Sequence, residues 1–314
     1  MNKPSDILKL RESTIYNKNV KKDIRIASIG DIHLSNLTSF NDIYNITEEL
    51  YKLKPDYICV LGDLIDYPKV LLNDRKVYEL EILMHNIATI SPCIVILGNH
   101  DFIDEDIEDY PDVINNTNIW NEFDNIPNIN ILNDKVYKDN NIVFIGYRQK
   151  QEAYFNFDLN HIEDIEAYYK DFKSKDYLYK DLPDNIPKVL LTHSPETIVN
   201  NKVKNLLKEY DLILAGHYHN GCVPIILDEI LPNNIGLITP RKKLFPKYAR
   251  GILKQDNGSY IIFNGGWTKI SESAPKIFYK LDKLCNRQID ITTLTKDEKY
   301  KKEHIKSKKL VLEK

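Results

Sequence analysis

Residues 24–34 read IRIASIGDIHL, residues 57–66 read YICVLGDLID, and residues 93–101 read CIVILGNHD. Each stretch is a short apolar run of strand type followed by a glycine and then by an aspartate or asparagine. Helical spacing of apolar residues occupies 41–53 and 73–90, between these runs. The alternation predicts an α/β layered fold, with polar clusters just beyond the strand ends, where open α/β sheets bind their ligands.

The same pattern returns later in the chain. Residues 189–192 and 212–215 are predicted strands, and each is followed directly by histidine-containing sequence. Five strand-end clusters therefore contain a common set of candidate metal ligands: Asp31, His33, Asp63, Asn99, His193, His217 and His219. The glycines before Asp63, Asn99 and His217 are predicted to allow sharp turns with positive φ.

The chemistry of these residues indicates a metal site. Residues two apart on an extended segment point to the same side, so Asp31 with His33, and His217 with His219, form chelating pairs. Carboxylates and imidazoles suit manganese, iron and zinc, whereas the lack of cysteine argues against a thiolate site. Seven candidates exceed the four ligands of a closed structural site, and an aspartate can bridge two ions, so the set predicts a binuclear catalytic centre.

A single histidine at a strand end is more often structural than a ligand, so the prediction rests on the ordered set. His85 in a predicted helix, His161 and His304 are interpreted as structural or surface residues. The net charge of -3 provides no general attraction for nucleic acid. Four separated cysteines without a C-x-x-C pair, together with the lack of a membrane span or signal sequence, favour a reduced, cytoplasmic protein.

The ordered set D-x-H, G-D, G-N-H-D, H and G-H-x-H resembles the calcineurin-like metallophosphoesterases over residues 31–219. The resemblance implies two stacked mixed β-sheets flanked by helices, a four-layer sandwich. It also implies two divalent metal ions (Mn²⁺, Fe²⁺/Fe³⁺ or Zn²⁺, with Mn²⁺ favoured). The first would be held by Asp31, His33 and His219, the second by Asn99, His193 and His217, and Asp63 would bridge them. His100 would act on the substrate phosphoryl group or leaving oxygen, and Asp101 would orient the His100 ring.

Within the family, the chain lacks the arginines of the protein phosphatase motifs. It is more similar to bacterial phosphodiesterases of the YkuE and YaeI type, in which G-H-x-H-x-G precedes a loop matched here by Pro240, Lys242, Tyr248 and Gly251. The implied activity is hydrolysis of a small phosphate diester or monoester, of lipid or nucleotide type, by a metal-activated water. Two alternatives stay open: a nuclease of the same superfamily, and a metal-binding scaffold with little catalysis.

The predicted organisation has one large domain. Residues 24–295 form the phosphoesterase domain, preceded by an N-terminal extension (1–23) and followed by a charged tail (296–314). Residues 149–185 are predicted to be a helical insertion exposed to solvent. Residues 232–251 form a basic loop after the last histidines, for which phosphate positioning and simple solvation are both open. Its Phe245 and Tyr248 could line a substrate pocket or pack the loop down.

Overall fold

The computed structural model describes residues 6–101, 119–149, 162–199, 203–239, 244–268, 270–272, 274, 279–302 and 304–312. Outside these ranges lie His161, part of the predicted insertion and residues 240–243 of the predicted basic loop. The strands of the described part are β1 (Ile7–Tyr16), β2 (Ile24–Ile29), β3 (Tyr57–Leu61), β4 (Cys93–Ile96), β5 (Ile129–Ile131), β6 (Val136–Lys138), β7 (Val143–Tyr147), β8 (Lys188–Thr192), β9 (Leu212–Ala215), β10 (Gly251–Lys254), β11 (Tyr260–Phe263), β12 (Arg287–Thr295) and β13 (His304–Val311).

The strands form two mixed sheets. The larger sheet has the order β13-β1-β12-β2-β3-β4-β5, and β2 to β5 run parallel to one another. The smaller sheet has the order β10-β11-β9-β8-β7-β6, with β7, β8, β9 and β11 parallel. Because neighbouring parallel strands end at the same edge, each sheet presents a row of carboxyl ends, and those rows carry the predicted ligands.

Helices cover the outer faces of the sheets. They are α1 (Phe40–Leu53), α2 (Asp74–Ile90), α3 (Ile119–Asp124), α4 (Ile162–Ser174) and α5 (Tyr279–Asp282). Apolar side chains of α1, α2 and α3 form one core with the larger sheet, and Phe172 of α4 joins another core on the smaller sheet. A third core, including Ile26, Phe144 and Leu214, lies between the sheets. The expected arrangement of two mixed sheets flanked by helices is confirmed.

Local sequence explains why the main elements form where they do. Helix α1 begins after Ser39, whose side chain accepts a hydrogen bond from the Asp42 amide, while the Asp42 carboxylate accepts one from the Ser39 amide. This reciprocal pair satisfies amides that the helix itself leaves without partners. Strand β3 is buried at every residue, as expected for a central parallel strand with both faces covered.

The two ends of the chain differ from the expectation. The predicted extension contributes β1, which pairs in parallel with β12, and the predicted tail contributes β13, which pairs antiparallel with β1. Strand β1 buries Leu8 and Leu10 completely or nearly so, because these alternate residues face the helical layer's core. All residues of β13 are exposed, and its apolar residues Ile305, Leu310 and Val311 show no regular alternation from which a half-buried strand could be predicted.

Two further features of the described structure concern the predicted insertion and the cysteines. Helix α4 lies within the predicted helical insertion, and Cys59, Cys93, Cys222 and Cys285 are buried free thiols. Among the described residues, no helix combines the length and the apolar character needed to cross a membrane.

Replacing Leu8 with alanine is expected to lower the free energy of unfolding by about 2–5 kcal/mol, because this fully buried side chain anchors β1. Leu310→Ala is the matched control: Leu310 faces Leu8 across the strand pair but is 37% exposed, and about 0.5 kcal/mol is expected. Urea unfolding followed by circular dichroism measures both. Equal small effects would contradict the placement of β1 in the core.

Candidate metal centre

The carboxyl ends of both sheets converge on one buried cluster. The larger sheet contributes residues that follow β2, β3 and β4, and the smaller sheet contributes residues that follow β8 and β9. All seven predicted ligands are buried, at 9% exposure or less: Asp31, His33, Asp63, Asn99, His193, His217 and His219. Neither sheet supplies the whole cluster.

A first set consists of Asp31, His33 and His219, which offer ligand atoms within 4.8 Å of one another. The His33 Nδ1 lies 2.8 Å from the Asp66 carboxylate, and the His219 Nδ1 donates to the Thr268 carbonyl at 2.7 Å. These contacts leave the Nε2 of each ring for the cluster. The two rings stack with centroids 5.0 Å apart.

A second set consists of Asp63, His193 and His217, whose ligand atoms also lie within 4.8 Å of one another. The His193 Nδ1 donates to the Leu61 carbonyl at 2.6 Å, which turns its Nε2 toward the cluster. The His217 Nδ1 is 3.2 Å from that Nε2. The structure therefore brings these residues together as one donor group.

Asp63 lies between the two sets. Its Oδ2 is 3.6 Å from the His33 Nε2 of the first set and 3.0 Å from the His193 Nε2 of the second. Its Oδ1 accepts a hydrogen bond from the His100 amide at 2.9 Å. A single carboxylate oxygen thus faces both sets, which is the position that a bridging ligand requires.

The unpaired atoms of the cluster fit a cation. Among the described residues, Asp31 Oδ2, His33 Nε2 and Asn99 Oδ1 are buried without a hydrogen-bond partner. Leaving such atoms unpaired costs about 1–3 kcal/mol each. Carboxylate, amide and imidazole donors without thiolates match the preferences of manganese, iron and zinc. The residues present therefore fit divalent metal ions.

The electrostatics agree with this. Burial alone would lower the pKa of His33, but the hydrogen bond to Asp66 and the charges of nearby aspartates raise it to about 9. Burial likewise opposes a charged His193, yet Asp63 raises its pKa to about 9. Although burial acts to raise the pKa of Asp63, the His193 and His100 rings hold it well below its usual range. The carboxylates therefore stabilise positive charge within the cluster.

The backbone at the cluster is unusual. Five of the seven predicted ligands have left-handed φ values between 49° and 71°: Asp31, His33, Asp63, His217 and His219. This conformation costs a non-glycine residue about 1–2 kcal/mol. Such residues concentrate at functional sites, where the surrounding structure holds them in place.

Glycine is required where two turns approach each other closely. Gly62 has φ +86°, as predicted, and a Cβ there would lie 2.5 Å from the Gly98 amide nitrogen. Glycine is required at position 98 because a Cβ there would lie 2.2 Å from Asp63 Oδ1. The glycines before Asp63 and Asn99 thus allow the two turns to touch, in addition to the positive φ at Gly62.

His100 and Asp101 have different surroundings. The His100 ring is half-buried, its Nδ1 donates to the Asp66 carbonyl, and its centroid is 4.7 Å from that of His33. Asp101 is fully buried and accepts hydrogen bonds from the amides of Leu64 (2.8 Å), Ile65 (3.1 Å) and Gly98 (2.8 Å). Asp101 therefore does not orient the His100 ring as expected, because backbone amides occupy its carboxylate.

The orienting partner is Asp66, which sequence reasoning did not place in the site. Its Oδ1 binds the His33 ring, its carbonyl binds the His100 ring, and its Oδ2 accepts the Glu272 amide at 2.7 Å. The spacing Asp63-x-x-Asp66 was visible in the sequence. Thr268 had no such signal, because its contact with His219 is made by a backbone carbonyl.

Several residues of the predicted basic loop have structural roles. Arg250 is buried and pairs with Asp228 at 2.8 Å, so this arginine stabilises the fold. Tyr248 packs against Phe263 with ring centroids 6.3 Å apart. Leu244 and Phe245 are exposed. The loop is held beside the cluster because the amides of Leu237 and Ile238 donate to the Gly221 carbonyl.

Replacing Asp101 with asparagine is expected to lower the free energy of unfolding by about 1–3 kcal/mol, since an amide cannot accept hydrogen bonds at both positions. Chemical denaturation measures the change. Asp181→Asn is a suitable control, because that residue is exposed, and it should stay within about 0.5 kcal/mol of wild type. Unchanged stability of Asp101→Asn with lost turnover would indicate a catalytic role instead.

The family model described as calcineurin-like phosphoesterase matches residues 24–221. An uncharacterized metallophosphoesterase from Helicobacter pylori is 24% identical over 260 residues, covering 82% of this chain and 58% of that protein. Another, from Campylobacter jejuni, is 26% identical over 206 residues, covering 65% and 46% respectively. The chain thus spans about half the length of these curated relatives.

Two solved structures are similar at low identity. A dimetal phosphatase from Danio rerio is 10% identical, with a TM-score of 0.40, over 78% of this chain and 88% of that one. The phosphopantetheinyl hydrolase of Mycobacterium tuberculosis is 13% identical, with a TM-score of 0.41, over 80% and 93%. The family match covers more than half of the chain and ends within the turn that carries His219. On that match, the chain belongs to the calcineurin-like phosphoesterase family.

Proposed function

We propose that this protein is a metal-dependent hydrolase of phosphate diesters or monoesters that uses two divalent ions. The observation that carries the proposal is the position of Asp63, whose Oδ2 lies 3.6 Å from His33 Nε2 and 3.0 Å from His193 Nε2. One carboxylate shared by two donor sets is the arrangement of a binuclear centre. Membership of the family supports the same reaction class.

The donor sets define which residues would hold the ions. Asp31, His33 and His219 would hold the first, His193 and His217 the second, and Asp63 both. Asn99, whose buried Oδ1 has no hydrogen-bond partner in the described structure, would join the second. Bound ions would supply Lewis acidity toward phosphoryl oxygens and lower the pKa of water. Donors of oxygen and imidazole nitrogen without sulfur suit manganese, iron and zinc, and manganese, which the family resemblance favours, is the ion used in the tests below.

The chain's own residues then position the substrate and move the proton. The Nδ1 of His100 donates to the Asp66 carbonyl, and that contact directs its Nε2 away from Asp66. We assign this nitrogen to the phosphoryl oxygen or to the leaving oxygen, where it would donate a hydrogen bond or a proton. Burial of Asp31 and His33 keeps bulk water from competing at the first set.

The substrate is assigned to small phosphoesters that carry an apolar group. Leu244 and Phe245 are 64% and 59% exposed, on the loop that is fixed to the turn after His219. Exposed apolar side chains beside a polar cluster favour a ligand with a lipid or nucleoside portion. The net charge of -3 offers no support for a nuclease.

His100→Asn is expected to lower kcat by about 10²–10⁴-fold while metal content stays unchanged, because the ring acts on substrate and is not in either donor set. Turnover with manganese and elemental analysis of the purified variant test this. A variant that loses its metals, or that keeps wild-type turnover, would show that the role of His100 is wrongly assigned.

Asp63→Asn is expected to abolish turnover and to reduce bound manganese, because the amide removes the charge that faces both sets. The assay compares bis-p-nitrophenyl phosphate with p-nitrophenyl phosphate, using wild type purified without chelator as the reference. Faster wild-type turnover of the first substrate would assign the diester class. Two bound ions without turnover of either substrate would favour the scaffold alternative.

A further inference from the structure

Residues 264–268, which we call the crossing segment, connect the two sheets at the metal centre. The segment follows β11 of the smaller sheet, and its Asn264 amide donates to the Ala215 carbonyl of β9 at 2.7 Å. The Asn264 side chain reaches the larger sheet, where it donates to the Ser28 carbonyl at 2.9 Å and to Asp290 at 2.8 Å. The crossing segment is therefore anchored in both sheets.

The crossing segment then contacts the backbone that carries the first donor set. The Trp267 amide donates to the Gly30 carbonyl at 2.9 Å, and the Thr268 amide donates to the Asp31 carbonyl at 2.9 Å. The Thr268 hydroxyl donates to the Ile32 carbonyl at 2.7 Å. Three successive residues of the turn after β2 are thus fixed by two residues of the crossing segment.

The crossing segment also orients His219, the member of the first donor set that comes from the smaller sheet. The Thr268 carbonyl accepts a hydrogen bond from His219 Nδ1 at 2.7 Å. A carbonyl can only accept, so Nδ1 carries the proton and the Nε2 lone pair is left for a cation. Partners of this kind fix the tautomer and the angle of a metal-binding histidine.

Gly266 places the backbone of the crossing segment against the Asp31 side chain. Its φ is +70°, and a Cβ there would lie 2.8 Å from both Cβ and Oδ2 of Asp31. Only glycine allows this approach. By contrast, His193 of the second set is oriented from the larger sheet, by the Leu61 carbonyl.

We propose that the crossing segment is the positioning element of the first donor set, so that cation binding by Asp31, His33 and His219 depends on residues 264–268 more strongly than binding by the second set. The second set is linked to the positioned residues through the His217 amide, which donates to Asp31 Oδ1 at 3.0 Å. The proposal rests on the two-metal function above. The proposed determinant of metal affinity lies outside residues 24–221, the part of the chain that the family model matches.

Gly266→Ala tests this, because the added methyl group meets the Asp31 carboxylate. Gly258→Ala is the matched control: Gly258 also has positive φ, at +92°, but a Cβ there has no neighbour within 4 Å. The control variant therefore has only the conformational cost of placing alanine at a positive φ, without a steric clash. Removing an outer-shell partner typically weakens metal binding 10–100-fold, and that loss is expected for one of the two ions in Gly266→Ala.

The measurement is titration with Mn²⁺ alone, by calorimetry and by elemental analysis of the dialysed protein. His217→Ala and His33→Ala backgrounds isolate the first and the second set respectively. Gly266→Ala should weaken the remaining ion in the His217→Ala background and weaken it clearly less in the His33→Ala background. Thr268→Val keeps the shape without the Ile32 hydrogen bond, and should weaken the first ion about 2- to 10-fold.

Thermal unfolding separates these effects from loss of the fold. If Gly266→Ala does not fold, Thr268→Val decides the question through the same titration. Equal affinities in Gly266→Ala and Gly258→Ala, or equal weakening of both ions in a folded Gly266→Ala protein, would overturn the crossing segment's role alone. A wild type that binds no Mn²⁺ would overturn the two-metal function and this inference together.

Discussion

The structure depends on one constraint: the carboxyl ends of two separate sheets must meet. Asp31, His33 and Asp63 come from the larger sheet, whereas His193 and His219 come from the smaller one. Neither sheet has a complete donor set, so the cluster exists only when the sheets are stacked in one relative position. The apolar core between the sheets, which includes Phe144 and Leu214, fixes that position through close packing.

The same packing sustains features that would be unfavourable in isolation. Left-handed backbone at five ligands and the buried unpaired atoms Asp31 Oδ2, His33 Nε2 and Asn99 Oδ1 both oppose folding. The surrounding strands are buried on both faces, as in β3, β4 and β8, and their burial offsets these costs. A site of this kind therefore needs a large apolar fold beneath it, and the short buried strands together provide it.

Much of this was predictable from local sequence, and the remainder follows from contacts that local sequence does not encode. Strand β9 matches its predicted limits, and β2 and β3 lie within the quoted stretches 24–34 and 57–66, because buried parallel strands are apolar runs bounded by glycine or polar residues. The donor sets followed from the family resemblance that the ordered motifs carry. Asp66 and Thr268 did not, since they act across the fold, and Thr268 does so through a carbonyl that every residue possesses. Strand β13 is exposed at every residue and has no buried face that would reveal it in the sequence.

The place of β1 between β12 and β13 has a consequence for how the protein is made. Its Arg11 is bound to Asp290, a partner 279 residues later in the chain. During synthesis on the ribosome, β1 must remain without these neighbours until residues 287–311 have been translated. The edge of β2 that β12 will cover is open for the same period. Nascent chains would therefore expose pairing edges while every metal-binding motif is already present, and protection by chaperones matters most at that stage.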